Sequence, residues 1–297
     1  MVIFEHLTKR YGSLTAVNDL SFTVKPGRVT GFLGPNGAGK TTTLRMATGL
    51  IRPDAGYALF DGTLYRDLAK PWRKVGVAFE PVVFHPGRTA LNHLLAYAPY
   101  ADASRARCEA LLDLVGLTAA ANKRVGQFSL GMRGRLSLAV AMLGDPEILL
   151  LDEPVNGLDP EGIRWVRELL RRLASEGRTI LVSSHLLAEA AQTVDEIVII
   201  AQGKLLFQGS LAEAESSATS VVWVKPSSPE AFQALARRNH WKILPGDGTH
   251  FRLEGLTTTE IGAASLAAGI PLEGLRAQAG DLESIFLRLT EGQGGMR

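Results

Sequence analysis

The sequence predicts an α/β domain followed by a small α+β module. A short apolar strand, Val29–Leu33, runs into a glycine-rich loop and then into a helical stretch. A second apolar run, Ile148–Leu151, ends in two carboxylates and has the composition of a central parallel strand covered on both faces. Beyond about Leu211 the pattern follows the order strand, helix, strand, strand, helix, strand, which is the order of a ferredoxin-like module.

Chain length and composition limit the possible functions. A chain of 297 residues exceeds the usual size of one domain, so we predict domains at 1–215 and 219–297, joined by the small-residue segment Ser216–Ser220. The 32 Lys plus Arg nearly balance the 30 Asp plus Glu, so we expect no nucleic-acid partner. The single cysteine, Cys108, cannot form an internal disulfide, which fits a reducing cytoplasm. We predict that it is an ordinary helix residue.

The N-terminal part begins with two predicted strands, Val2–Leu7 and Leu20–Val24, which we expect to pair antiparallel. Residues 1–9 lack the charge and apolar pattern of a signal peptide. No apolar run approaches the ~20 residues needed to span a bilayer. We therefore expect this chain not to cross a membrane by itself.

The glycine-rich loop after Val29–Leu33 has the spacing of a phosphate-binding loop, and Thr43–Leu50 after it is predicted as a helix. Its glycines let successive backbone N–H groups turn toward phosphates, and the helix N-terminus adds a positive dipole end. Lys40 supplies a mobile cation for the β- and γ-phosphates, and the Thr41 hydroxyl suits Mg²⁺. The candidate nucleotide-binding residues are Gly34, Pro35, Asn36, Gly37, Ala38, Gly39, Lys40, Thr41 and Thr42.

Two carboxylates follow the apolar run at Ile148–Leu151. They are expected at the carboxyl end of a parallel strand, where open α/β sheets bind ligands. Asp152 is suited to hold Mg²⁺ through water, and Glu153 to polarise an attacking water. With the loop, these residues by themselves indicate a nucleotide hydrolase that uses ATP or a related nucleotide with Mg²⁺.

Further motifs narrow the class. Gln127–Arg133 precedes a predicted helix at Arg135–Leu143, Asn156–Asp159 follows the carboxylates, and Thr179–Ser184 is a predicted strand that ends at His185. This ordered set resembles the ATP-binding cassette (ABC) family. The resemblance implies a RecA-like core, an antiparallel β subdomain, and a helical subdomain at about 85–145.

The same resemblance implies roles for individual residues. Tyr11 would stack on adenine, His185 would contact the γ-phosphate, and Asp159 would contact the opposite subunit. The family signature is usually Leu-Ser-Gly-Gly-Gln, and here it reads Phe128-Ser129-Leu130-Gly131-Met132, which lacks the first glycine and the glutamine. Ser129 and the Gly131 N–H can still meet a γ-phosphate at a helix N-terminus. Glu80 stands where the family has a glutamine that touches Mg²⁺, which makes Glu80 a further candidate metal ligand.

The resemblance also implies partners. Two identical subunits would pack head to tail around two ATP molecules, and the pair would drive a separate transmembrane permease from the cytoplasmic face of the membrane. Asp281–Thr290 and His85–Leu94 resemble segments of ABC-2-type exporters of the antibiotic and multidrug efflux group. We therefore expect export of a drug-like, antibiotic or lipid-like substrate. A non-transport ATP-gated clamp and a nucleotide-sensing module remain open as alternatives.

The C-terminal module has no glycine-rich loop of its own. His240, Asp247 and His250 lie too near a glycine-rich turn to form a convincing closed metal site. We expect the module to stabilise or regulate the dimer. Its predicted elements are Val221–Val224, Pro229–Arg238, Trp241–Leu244, His250–Leu253, Thr258–Ala268, Leu272–Ala277 and a closing helix at Leu282–Leu289.

Overall fold

A computed structural model describes residues 1–80, 84–186, 192–217, 221–244 and 249–278. Its contacts divide the chain into two compact units, Met1–Ser210 and Leu211–Arg297. The predicted linker Ser216–Ser220 begins inside a helix of the second unit, and its last three residues lie outside the described part. No described helix is both long and apolar enough to cross a membrane.

The first unit contains two sheets and a group of helices. In chain order its elements are β1 (Val2–Tyr11), β2 (Leu14–Val24), β3 (Arg28–Leu33), α1 (Lys40–Ala47), β4 (Ala55–Phe60), β5 (Thr63–Leu64), α2 (Pro71–Lys74), β6 (Val75–Ala78), α3 (Ala90–Tyr97), α4 (Arg105–Leu114), α5 (Leu130–Ala141), β7 (Ile148–Asp152), α6 (Pro160–Ser175), β8 (Thr179–Ser184), β9 (Glu196–Ala201) and β10 (Lys204–Ser210).

The N-terminal sheet is antiparallel, with the order β2-β1-β4-β5. The predicted antiparallel pairing of the first two strands is confirmed, and both strands are longer than their apolar patterns indicated. Phe22 joins this sheet to the central one, because its ring stacks on Phe4 at 4.1 Å and on Phe32 at 5.1 Å. Burial of these aromatic rings fixes the two sheets against each other.

The central sheet has the order β10-β9-β3-β8-β7-β6, and all its pairs are parallel except β10 with β9. Every residue of β7 and β8 is buried, as expected for strands covered on both faces. In the register of these strands Asp152 lies opposite Ser183, and Leu33 lies opposite Ser184. The carboxyl ends of β3, β7 and β8 therefore meet at one edge.

Helices α3, α4 and α5 fall between β6 and β7, inside the predicted helical region. Helix α5 begins at Leu130 and not at Arg135, because the Ser129 hydroxyl caps it by accepting a 3.2 Å hydrogen bond from the Met132 N–H. Helix α1 likewise begins at Lys40 rather than at Thr43. Cys108 is a buried residue of α4, and burial raises the pKa of its thiol.

The second unit is a four-stranded antiparallel sheet with helices. Its elements are α7 (Leu211–Ser217), β11 (Val221–Pro226), α8 (Pro229–Arg238), β12 (Lys242–Leu244), β13 (Phe251–Glu254), α9 (Thr258–Ala267) and β14 (Leu272–Gln278), and its strand order is β12-β13-β11-β14. The predicted order of strands and helices is confirmed over these residues. The hairpin turn with Asp247, the closing helix Leu282–Leu289 and the segment Asp281–Thr290 lie outside the described residues.

Candidate functional site

The site lies where three parallel strands of the central sheet end. Gly34 follows β3, Asp152 closes β7, and His185 follows β8. The Gly34 N–H donates to the Ser184 carbonyl at 3.3 Å, which holds the first turn of the glycine loop against the neighbouring strand. Side chains from three distant parts of the sequence are thereby collected at one edge of the sheet.

The glycine loop depends on residues without a Cβ. Gly39 has φ +104° and precedes α1, and a Cβ there would lie 2.5 Å from the Ala16 carbonyl oxygen. A Cβ on Gly34 would collide with the Ile200 carbonyl oxygen. Gly37 also has a positive φ, +81°, but the space around it is open. The loop therefore needs glycine for backbone conformation at two positions and for close packing at two.

Lys40 is the cation of the site. It is the first residue of α1 and is only 6% exposed, and its Nζ donates to the carbonyl oxygens of Gly34 at 2.7 Å and Pro35 at 3.2 Å. The same Nζ lies 3.5 Å from Oε1 of Glu153. A buried ammonium group requires such partners, because an unpaired one would be costly.

The two predicted magnesium ligands touch each other. Thr41 Oγ1 donates a 2.7 Å hydrogen bond to Oδ2 of Asp152. The other carboxylate oxygen of Asp152, Oδ1, accepts a 2.6 Å hydrogen bond from Ser183 Oγ. Asp152 is 3% exposed, so these two hydroxyl groups hold a buried carboxylate in one orientation.

Glu153 is held in an unusual backbone conformation. Its φ is +49°, in the left-handed region, which non-glycine residues adopt at a cost of about 1–3 kcal/mol. Its N–H donates to Ser183 Oγ at 3.0 Å. Oε2 of its carboxylate lies 2.9 Å from His185 Nδ1, so Glu153 stands between Lys40 and His185.

Magnesium fits the residues that are present. Thr41, Asp152 and Glu153 offer only oxygen atoms, which are the ligands that Mg²⁺ takes in proteins. Lys40 lies beside Glu153, whereas the second carboxylate, Asp152, is bound by the hydroxyl groups of Thr41 and Ser183, so a cation beside Asp152 would meet a negative charge that no ion pair neutralises among the described residues. Thr41 and Asp152 would hold it, with Asp152 acting through water, and the ion would neutralise phosphate charge there.

Glu80, the further metal candidate, lies beside this cluster. Oε2 of its carboxylate accepts a 2.8 Å hydrogen bond from Nδ2 of Asn156. Both residues line a cleft of about 200 Å³, together with Asp152, Glu153 and Arg133. The structure thus places Glu80 near the predicted metal ligands.

The remaining predicted site residues have other local contacts. Tyr11, at the end of β1, is 48% exposed and lies under the Lys9 ammonium group, 5.5 Å from Nζ to the ring centre. Ser129 caps α5, with Gly131 in its first turn, and Oδ1 of Asp159 caps α6 by accepting from the Gly162 N–H at 2.8 Å. Among the described residues, no hydrogen bond joins Tyr11, Ser129 or Asp159 to the cluster formed by Lys40, Thr41, Asp152, Glu153 and His185.

Sequence reasoning missed two residues of the site. Ser183 bridges Asp152 and Glu153, and Asn156 binds Glu80. The signal for Ser183 was a hydroxyl at the end of a buried strand beside the strand that carries the carboxylates. Nothing in the sequence pattern relates Asn156 to Glu80, which lies 76 residues earlier.

A glycine loop leading into α1, paired carboxylates after a central strand and a histidine at the end of its neighbour define a phosphate-loop nucleotide hydrolase of the ABC type. The sequence profile of the family described as "ABC transporter" matches residues 17–156. The chain belongs to the family of ABC transporter ATP-binding proteins. These are ATPases that power transport through a separate membrane partner.

Several relatives match this chain. It is 45% identical over 203 residues to the bacitracin transport ATP-binding protein BcrA of Bacillus licheniformis, covering 67% of this chain and 66% of BcrA. It is 35% identical over 307 residues to the Nod factor export ATP-binding protein I of Burkholderia pseudomallei (strain K96243), covering 97% of this chain and 96% of that protein. The second match shows that nearly the whole chain, including the second unit, has a counterpart in a relative.

Solved structures agree with the fold. An ATP-binding subunit of an ABC transporter superimposes with a TM-score of 0.66 at 28% identity, covering 73% of this chain and 92% of that chain. The ATP-binding cassette MJ0796, described as a dimeric post-hydrolysis state bound to ADP and Pi, superimposes with a TM-score of 0.65 at 26% identity. That match covers 71% of this chain and 99% of the solved chain.

Proposed function

We propose that this chain is the ATPase subunit of an exporter, which hydrolyses ATP with Mg²⁺ to move a drug-like, antibiotic or lipid-like substrate through a separate permease. The single observation that carries the ATPase mechanism is the row Lys40, Glu153 and His185, with contacts of 3.5 and 2.9 Å. Support for export comes from two relatives whose names describe bacitracin transport and Nod factor export.

In the proposed mechanism Lys40 and the loop N–H groups hold the β- and γ-phosphates. Glu153 orients and polarises the attacking water, and His185, 2.9 Å away, keeps that carboxylate in place and contacts the γ-phosphate. Thr41 and Asp152 hold Mg²⁺, and Glu80 contacts the ion or its water. Tyr11 stacks on adenine.

The proposed active form is a homodimer with two ATP molecules between the subunits. Ser129 and Leu130 are exposed at the N-terminus of α5, where a Ser129 hydroxyl and the Gly131 N–H of one subunit can meet the γ-phosphate held by the other. Asp159 lies at the N-terminus of α6, where its loop contacts the opposite subunit. The solved relative described as dimeric supports the homodimer.

The permease is proposed to dock at the segment from Glu80 to Arg88. Phe84 in this segment packs edge-on against His93 of α3, with ring centres 4.7 Å apart, and His85, Pro86 and Arg88 are exposed. Residues 81–83 lie outside the described part. Docking here would hold the subunit at the cytoplasmic face of the membrane.

A transport assay tests the proposal. The chain is reconstituted with its permease in inverted membrane vesicles, and ATP-dependent uptake of a panel of amphiphilic antibiotics and lipids is measured. Uptake that needs ATP and is lost in Glu153→Gln supports export. An ATPase whose rate does not respond to the permease, with no uptake of any compound, would contradict it and favour the clamp or sensor alternatives.

A crosslinking experiment tests the docking surface. Cysteine at Arg88 is paired with cysteines along the cytoplasmic loops of the permease, in a background where Cys108 is replaced by serine. A matched control places the cysteine at Arg164, which is exposed on α6. Crosslinks from position 88 and none from position 164 are expected. Absence of crosslinks from position 88 in an active transporter would contradict the docking site.

A further inference from the structure

The hydrogen bond between Glu80 and Asn156 connects two loops of the site. Glu80 lies two residues after the end of β6, and Asn156 lies three residues after Glu153. Nδ2 of Asn156 donates to Oε2 of Glu80 at 2.8 Å. An ionised carboxylate can only accept and an amide nitrogen can only donate, so the direction of this bond is fixed.

Both ends of the bond are anchored. The Asn156 N–H donates to the carbonyl oxygen of Glu153 at 3.1 Å, so Asn156 belongs to the same tight turn as the catalytic carboxylate. The Glu80 carbonyl oxygen accepts from Nη2 of Arg45 at 3.4 Å, which ties its backbone to α1. The amide of Asn156 therefore joins the turn after β7 to the strand end that carries Glu80.

The bond also leaves part of Glu80 available. Only Oε2 is used by Asn156, and among the described residues Oε1 of Glu80 makes no hydrogen bond. We propose that Asn156 is a positioning residue for hydrolysis, which holds Glu80 by one oxygen at the edge of the cleft shared with Asp152 and Glu153. Oε1 of Glu80 can then take part in hydrolysis only in the orientation that the hydrogen bond from Asn156 imposes on the carboxylate.

This inference deepens the proposed role of Glu80 and rests on it, but its test separates the two. Glu80→Gln keeps an acceptor for Asn156 and removes the charge, so it tests the metal role. Asn156→Ala keeps the charge and removes the donor, so it tests the positioning role. Asn156→Asp places two carboxylates at hydrogen-bond distance, where like charges repel.

The decisive variant exchanges the two groups. In Glu80→Gln/Asn156→Asp the side-chain amide lies on the β6 side and donates to a carboxylate on the β7 side, so the bond is restored with donor and acceptor reversed. We expect Asn156→Ala and Asn156→Asp to lower kcat about tenfold, with KM for ATP changed less than about twofold. The double variant should return to within about threefold of Glu80→Gln alone.

Hydrogen exchange supplies a readout that is independent of catalysis. Amides at 155–158 should exchange faster in Asn156→Ala and Glu80→Ala, and at the parental rate in Glu80→Gln. Asn122→Asp, an exposed position in a loop, is the matched control for the added charge. A double variant with kcat well below that of Glu80→Gln, by much more than about threefold, despite unchanged thermal unfolding, or an Asn156→Ala protein with parental kcat would overturn the proposal.

Discussion

The hydroxyl group of Thr41 and the carboxylate of Asp152 are joined by a 2.7 Å hydrogen bond across 111 residues of sequence. They meet because β3 and β7 both pair in parallel with β8, so their carboxyl ends fall at the same edge of the sheet. Ser183, at the end of β8, completes the arrangement by binding the other oxygen of Asp152. The pairing of the strands therefore brings the residues of the proposed magnesium site together.

Glu153→Gln should separate ATP binding from hydrolysis. The amide keeps the shape and can still bind His185, but it cannot take a proton from water, and a positioned base typically contributes ~10²–10⁴-fold to the rate. We expect the rate of phosphate release to decrease by a factor of about 10²–10⁴. ATP should still drive dimer formation, which analytical ultracentrifugation detects. Glu168→Gln, on the exposed face of α6, is the control. Parental phosphate release in Glu153→Gln would show that another group acts on the water.

Lys40→Ala should lose nucleotide affinity. The substitution removes the one cation that contacts the glycine loop among the described residues, and with it the bonds to the Gly34 and Pro35 carbonyls. Charge-assisted hydrogen bonds to phosphate are among the stronger ones, so a weakening of ATP binding of about tenfold or more is expected. Titration calorimetry measures it, with the exposed Lys123→Ala as control. Equal ATP affinity in both variants would exclude this role.

The loop glycines offer a matched pair. Gly39→Ala should prevent the loop from forming, because its Cβ would lie 2.5 Å from the Ala16 carbonyl oxygen and its φ is +104°. Gly37→Ala meets nothing within 4 Å, so only the strain of a positive φ remains, on the order of 1 kcal/mol. ATP affinity should therefore fall much further in Gly39→Ala than in Gly37→Ala. Equal losses of ATP affinity would mean that the strain of a positive φ, and not the collision with the Ala16 carbonyl oxygen, prevents the loop from forming.

The sequence predicted the parts of this site whose positions follow from local pattern. A glycine loop between a strand and a helix, and carboxylates after a buried strand, each carry their structural context with them. The apolar pattern predicts the start of α5 at Arg135, because Leu130 to Gly134 lacks a clear apolar face, whereas the helix begins at Leu130 behind the Ser129 cap, as the helix N-terminus implied by the signature requires. Contacts such as Asn156 with Glu80 depend on how β6 and β7 pair, which no local pattern specifies.

His93 should make stability depend on pH. It is buried on α3, where burial and then the charges of Arg88 and His85 lower its pKa to about 4. An unfolded histidine titrates near ~6.5, so the unfolded state takes up a proton in the window between those values. The contribution of neutral His93 to the free energy of unfolding is therefore present at neutral pH and is lost as pH falls. The loss amounts to about 2 kcal/mol at pH ~5.

His93→Phe tests this dependence. A phenyl ring can keep the packing against Phe84 and Tyr97, whose ring centres lie 4.7 and 5.0 Å from that of His93. Nδ1 of His93 has no hydrogen-bond partner among the described residues, so its removal leaves no new unpaired group there. Urea unfolding between pH ~5 and ~7, followed by fluorescence of Trp72, which stacks on Tyr97, should show a smaller pH dependence in the variant. An unchanged dependence would assign it to other groups.

Truncation after Leu211 should weaken self-association and leave ATP binding intact. The nucleotide contacts proposed for Tyr11 and Lys40 lie in the unit Met1–Ser210, which is compact by itself. The dimeric relative MJ0796 is matched over 99% of its length by 71% of this chain, so a cassette of that size forms a dimer, and we expect a weaker dimer rather than none. Because each site is proposed to need Ser129 from the opposite subunit, ATPase activity should then depend more steeply on protein concentration. Sedimentation with and without ATP compares the truncated and full-length chains, both as Glu153→Gln so that ATP is not consumed. An unaltered monomer–dimer equilibrium would rule out that the second unit stabilises the dimer and would leave it with a role in regulation or packing alone.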